Sequence, residues 1–220
     1  MIRLFVAACF LFTTIKIFAQ DNFGKGIGIQ IAMPLQNGTF SGVDFGEVKK
    51  GKEGLYIQVS RQSYMGQNNL GFHSYNTFGL AYRVNNINIK EGEFKGTQLN
   101  ISTIELPLTV GGYAYFFNVL PLGINVGGYL AVPLKYEGTI RAIGKPDYTF
   151  GNKYEKPVAY AGLSGNVTLN LVIKKLGVIR LLAGGHFGFI PGYRPAPEGN
   201  EPPYKTPLPS SMQIGAEIVF

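Results

Sequence analysis

The chain has 220 residues, among them 30 Gly, 13 Tyr and 16 Phe, with no Trp and only 15% charged side chains. Such a profile excludes a disordered chain, which is polar and poor in aromatics, and a helical bundle, where each interior glycine costs about 1 kcal/mol. Without Arg3 and Lys16 of the leading segment the formal charge falls from +7 to +5, too small to point to nucleic acid, and the composition favours β structure with a weakly charged polar face.

The first segment, MIRLFVAACFLFTTIKIFAQ, has a basic start at Arg3, an apolar core from Leu4 to Ile15 and a small-residue exit at Ala19. That core is too short for a membrane helix, which needs about 20 residues, and has the form of a secretory signal. Residues 1–19 are therefore expected to be a signal peptide, leaving 20–220 as one domain. Val6-Ala7-Ala8-Cys9 has the letters of a lipoprotein box, but it comes too early in the apolar core. Cys9 is the only cysteine, so the remaining chain can form no disulfide and no thiolate metal site.

Beyond the leader the dominant signal is alternation. Ile27, Ile29, Ile31 and Met33 alternate with Gly26, Gly28, Gln30 and Ala32. Leu55, Ile57 and Val59 then alternate with Tyr56, Gln58 and Ser60, and Phe78, Leu80, Tyr82 and Val84 with Gly79, Ala81 and Arg83. In the central stretch Ile104, Leu106, Leu108 and Val110 oppose Thr103, Glu105 and Thr109. Leu122, Ile124, Val126, Leu130, Val132 and Leu134 oppose Gly123, Asn125, Gly127, Tyr129 and Lys135. Leu163, Val167, Leu169 and Leu171 follow, against Ser164, Asn166, Thr168 and Asn170. Ile179, Leu181, Ala183 and Phe187 face away from Arg180, Gly184 and His186, and Met212, Ile214, Ala216, Ile218 and Phe220 from Gln213, Gly215 and Glu217. Period two is the signature of a strand with two unlike faces, and eight segments carry it.

The connections, near 35–53, 65–69, 86–98, 118–121, 137–156, 174–176 and 191–209, alternate long and short. Tight turns on one rim and long loops on the other describe an all-β, eight-stranded antiparallel transmembrane β-barrel, an up-and-down meander. Two thirds of the charged side chains outside the leader lie in the four long loops, and seven of the 13 prolines lie in the last one.

Alternation alone does not say which face is outside. A secreted lipocalin-like carrier would put apolar residues inside and Lys, Glu and Asp in water. Here the polar face is mostly Gly, Ser, Thr, Asn, Gln and Tyr, which suits a crowded interior with lipid against the aliphatic face. Arg83, Glu105, Lys135, Arg180 and Glu217 fall on that inward face and are expected to pair as a structural charge network filling the lumen. Arg61 has the outward parity. At the bilayer midplane it would cost about 2–4 kcal/mol, so it is expected to reach periplasmic headgroups near the turn. Aromatic rings at the two rims are expected from Tyr64, Tyr115, Phe116, Phe117 and Phe220 on the turn side, and Tyr136, Phe189 and Tyr193 on the loop side.

Catalytic readings are thin. His73 and Ser74 are adjacent in a strand and so point to opposite faces, and His186 has Ser164 nearby but no nameable third partner. An outer-membrane lipid-modifying hydrolase therefore stays as the alternative of another class. Two histidines and no cysteine give no zinc set. Gly24-Lys25-Gly26-Ile27-Gly28 lacks the strand–loop–helix setting of a nucleotide loop. No catalytic residue, cofactor or metal is expected.

The stretch from Ser102 to Glu137, with its IELPL and GGY strand pair, resembles the small outer-membrane β-barrel proteins of Bacteroidetes, the PorT-like group. The ending Ile214, Ala216, Ile218, Phe220 resembles the C-terminal signal read by the barrel-assembly machinery, with Phe220 as its last residue. The resemblance implies a cell outer membrane location, lipid and the assembly machinery as partners, and a non-catalytic structural, adhesion or assembly-subunit role. It also implies a place beside a larger envelope or secretion complex.

Overall fold

The structure is a computed structural model that describes residues 26–35, 39–40, 43–44, 54–67, 71–88, 95–116, 120–141, 143–144, 146–150, 157–173, 177–192 and 210–220. The expected signal peptide, Phe117, Tyr193 and most of the proline-rich last connection lie outside these residues.

Each alternating segment forms a strand: β1 (Gly26–Leu35), β2 (Leu55–Gln67), β3 (His73–Asn88), β4 (Gln98–Phe116), β5 (Leu120–Ile140), β6 (Ala159–Ile173), β7 (Gly177–Gly192) and β8 (Ser210–Val219). Every strand is antiparallel to its chain neighbours, and β8 pairs back onto β1, so the sheet closes into an eight-stranded barrel. A two-stranded ribbon, Thr39–Phe40 with Val43–Asp44, lies in the first long connection. Tyr148–Phe150 pairs onto the far end of β5.

Closure sets the tilt. From Ala32 the row of partners runs through Tyr56, Arg83 and Thr103 to Pro133. In the other direction it runs through Gly215, Leu182 and Thr168 to Gly123. The two rows meet β5 about ten residues apart, which at about 3.3 Å per residue and 4.8 Å per strand requires a tilt of roughly 40°.

The two faces separate by polarity in the sense opposite to a soluble protein. Leu106, Leu130 and Val167 point outward with 45%, 61% and 61% of their surface exposed, whereas Glu105 and Arg180 point inward at 0% and 1%. Gln30, Gln58, Gln62, Asn125, Asn166 and Gln213 are buried on the inner face as well. Gly184 shows why small residues recur there. A Cβ at this position would stand 2.0 Å from the Gly165 carbonyl oxygen and 2.5 Å from Asn166 Cα, so any larger residue forces the backbones apart.

Lys135 corrects the inward set. The β4–β5 register shifts between the pairs Ser102–Lys135 and Thr103–Pro133, which leaves Leu134 as an extra residue. A bulge of this kind reverses the parity beyond it. Lys135 is therefore outward and 48% exposed, and pairs at 2.7 Å with Glu137, which is exposed as well. Tyr136 turns inward and is 8% exposed, so it is absent from the outer aromatic ring, as is Tyr115, which has the inward parity and packs on Tyr113 and His73 at the rim, while Phe116 and Phe189 face outward. An exposed pair contributes little. Lys135→Leu is thus expected to change barrel stability by no more than about 1 kcal/mol in urea unfolding, whereas an interior lysine would cost several.

A second shift extends β2 to Gln67, past the turn expected from Met65. Met65 is the extra residue there, and Gly66 takes φ +132°, which a side chain would strain. Arg61 is outward and exposed, opposite Ile27 at the start of β1.

Candidate functional site

The barrel interior holds two ion pairs at different levels. Arg83 on β3 and Glu105 on β4 meet at 2.9 Å between Nε and Oε1, with exposures of 2% and 0%. Thr103 Oγ1 donates to the same Glu105 oxygen at 3.2 Å. Arg83 spends its remaining donors across the lumen, on Ser211 Oγ at 3.1 Å, on Gln213 Oε1 at 3.4 Å and on His186 Nδ1. Its guanidinium also lies 4.5 Å over the Tyr56 ring. A planar fork with five donors spread over three nitrogens ties three strands at once, where a lysine would offer three donors on a single nitrogen.

Nearer the turn rim, Arg180 on β7 and Glu217 on β8 are register partners and pair through Nη1 and Oε2. Arg180 donates to Asn170 Oδ1 at 2.7 Å and, across the lumen, to Gln62 Oε1 at 3.0 Å. Tyr75 lies beneath its guanidinium at 4.3 Å. Between the two levels an amide ladder fills the barrel: Gln213 Nε2 donates to Asn166 Oδ1 at 3.0 Å, and Asn166 Nδ2 to Asn125 Oδ1 at 2.8 Å. The polar gap left among Gln30, Gln58, Thr77, Asn125 and Gln213 is about 10 Å³, room for about one water. Among the described residues these side chains form a plug across the lumen.

Four of the five residues expected in the network, Arg83, Glu105, Arg180 and Glu217, are brought inside as two pairs, and Lys135 is not. The hydrogen-bonding partners Gln62, Asn170, Ser211 and Gln213, and the rings of Tyr56 and Tyr75, complete it. Their inward parity is legible in the sequence, but their partners on distant strands are set only by closure. Phe220 is half-buried, and its backbone N–H donates to the Ile27 carbonyl at 3.0 Å, tying the C-terminus to β1.

His186 gains the third group that the sequence left unnamed. Its Nδ1 is 3.6 Å from Glu105 Oε2, and Ser164 and Ser211 are its register partners on either side. The proton arrangement is nonetheless the reverse of a Ser–His–acid site. Arg83 is a permanent donor, so the imidazole nitrogen facing it must accept, which places the ring proton on Nε2. A general base needs an unprotonated ring nitrogen free to face the serine, and here Nδ1 is taken by Arg83 while Nε2 carries the proton. Tyr129 stacks on the imidazole at 4.4 Å, and the ring is 3% exposed. Glu105 Oε2 makes no hydrogen bond, leaving one buried acceptor inside the cluster.

At the turn rim His73 accepts from, or donates to, Tyr64 Oη at 3.2 Å through Nδ1 and stacks on Tyr113 at 4.9 Å. Ser74 donates to the Gly66 carbonyl at 3.2 Å, away from that cluster. Among the described residues no group of three His, Cys, Asp or Glu side chains could hold a metal ion. No family model, no curated protein and no solved structure matches the chain.

Proposed function

We propose that the chain is an integral outer-membrane barrel with a sealed lumen, acting as a non-catalytic structural, adhesion or assembly subunit. The observation that carries this reading is the inverted polarity: exposed Leu, Ile, Val and Phe outside, and Arg, Glu, Gln and Asn inside. Outer-membrane barrels show this arrangement, because lipid solvates the aliphatic face while interior polar groups satisfy one another. A lipocalin-like carrier has an apolar cavity and a charged exterior, so the polar lumen and aliphatic exterior favour the membrane reading over it.

The same plug disfavours diffusion through the barrel, and the donor-facing His186 disfavours acyl chemistry inside it. Work is then left to the rims and the four long connections. The resemblance of the Ser102 to Glu137 hairpin to PorT-like barrels supports a subunit's place beside a larger envelope complex. The closing test is envelope fractionation with heat-modifiable gel mobility. The protein is expected in the outer-membrane fraction, migrating faster unheated than boiled. Recovery in the soluble fraction without detergent would end the membrane reading.

A further inference from the structure

At the turn-side level the outward face is apolar on six strands and polar on one hairpin. On the β2–β3 hairpin, Arg61, Ser63 and Asn76 all point outward and are exposed. Ser63 and Asn76 are direct register partners, and Arg61 lies two residues along β2 on the same face. Phe78 is the register partner of Arg61 on β3, and the positions flanking the hairpin are aliphatic: Ile27 beside Arg61 on β1, and Val110 beside Asn76 on β4. Among the described strand residues the only other outward charges are Lys135 and Glu137, on the far side of the β5 bulge, where they pair with each other.

Resting on the proposed membrane reading, we infer that Arg61, Ser63 and Asn76 form a docking site for the phosphate headgroup of a phospholipid in the periplasmic leaflet. The chemistry of the three groups selects an anion. A guanidinium, a hydroxyl and a carboxamide NH2 all donate, and no side-chain carboxylate stands on the outward face of β1 to β4 among the described residues. None of the three makes a side-chain hydrogen bond or ion pair with another described residue. A phosphodiester carries one negative charge and several acceptor oxygens, and its two acyl chains would lie along the neighbouring aliphatic surface of β1 and β4. The opposite electrostatic case, an acidic peptide from a partner protein, lacks that amphipathic match, since the polar notch is bordered by aliphatic residues on both sides.

The test is native mass spectrometry of the full barrel in mild detergent, with either phosphatidylglycerol or the phosphate-free monogalactosyl diacylglycerol added. The wild-type barrel is expected to retain one phosphatidylglycerol and no galactolipid. Arg61→Leu and Asn76→Leu are expected to lower retention at least fivefold, and Arg61→Lys to lower it less. Each variant is first checked for the heat-modifiable shift, and if Arg61→Leu fails to fold, Arg61→Lys and Asn76→Leu decide the matter. Equal retention by wild type and folded variants, or equal retention of both lipids, overturns the site. So does loss of a co-purifying protein from Arg61→Leu with lipid unchanged. Failure of the wild-type barrel to fractionate with membranes would instead defeat the membrane reading itself.

Discussion

Glu105→Leu is expected to destabilise the barrel by about 3–5 kcal/mol, and the double variant Arg83→Leu/Glu105→Leu to recover much of that loss. Both side chains are almost fully buried, and their 2.9 Å contact is the only ion pair Arg83 has among the described residues. Removing the carboxylate leaves a guanidinium in a low-dielectric interior with only neutral partners, Ser211, Gln213 and His186. That uncompensated charge is the costly state, whereas removing both charges together is often close to neutral. Urea unfolding of the lipid-reconstituted barrel, followed by gel mobility, measures each corner of the cycle. A Glu105→Leu loss below about 1 kcal/mol would mean that water reaches Arg83 and that the lumen is not plugged. A double variant as unstable as the single one would shift the weight to the neutral hydrogen bonds.

The second large effect is on the outside. Leu130→Arg is expected to lower stability in bilayers by about 2–4 kcal/mol if it lies near the midplane, with a smaller effect near the interface. Leu130 is 61% exposed and flanked on neighbouring strands by Leu106 and Ala161, away from the rims. In a water-soluble barrel an exposed Leu→Arg change would move stability by no more than about 0.5 kcal/mol. The two readings therefore differ several-fold on one substitution, and refolding into vesicles against urea distinguishes them. Lys135→Leu serves as the companion variant, since it removes an outward charge instead of adding one.

The outward and inward sets were legible because each strand alternates cleanly. Leu106, Leu130 and Leu169 against Glu105, Tyr129 and Asn170 need only period two to be sorted. Period two misplaces Lys135 and Tyr136 because it assumes an unbroken ladder, and the single extra residue at Leu134 carries no local mark in the sequence. The β2 end was read short for the same reason, with Gly66 as its only clue. The plug was legible as a set of inward charges but not as two separate pairs. Arg83 could have met Glu217, or Arg180 Glu105, on parity alone.

What the amino-acid order determined by itself is the eight-strand meander, its long and short connections and the polarity of its two faces. These depend on residues two apart and on the spacing of strands, both of which are local properties. The tertiary structure decided which charge meets which, that Arg180 reaches Gln62 across the lumen, and that His186 presents Nδ1 to an arginine. Those outcomes follow from the stagger at which the sheet closes. A shift of register carries every inward side chain to a new partner, and no single strand encodes that offset.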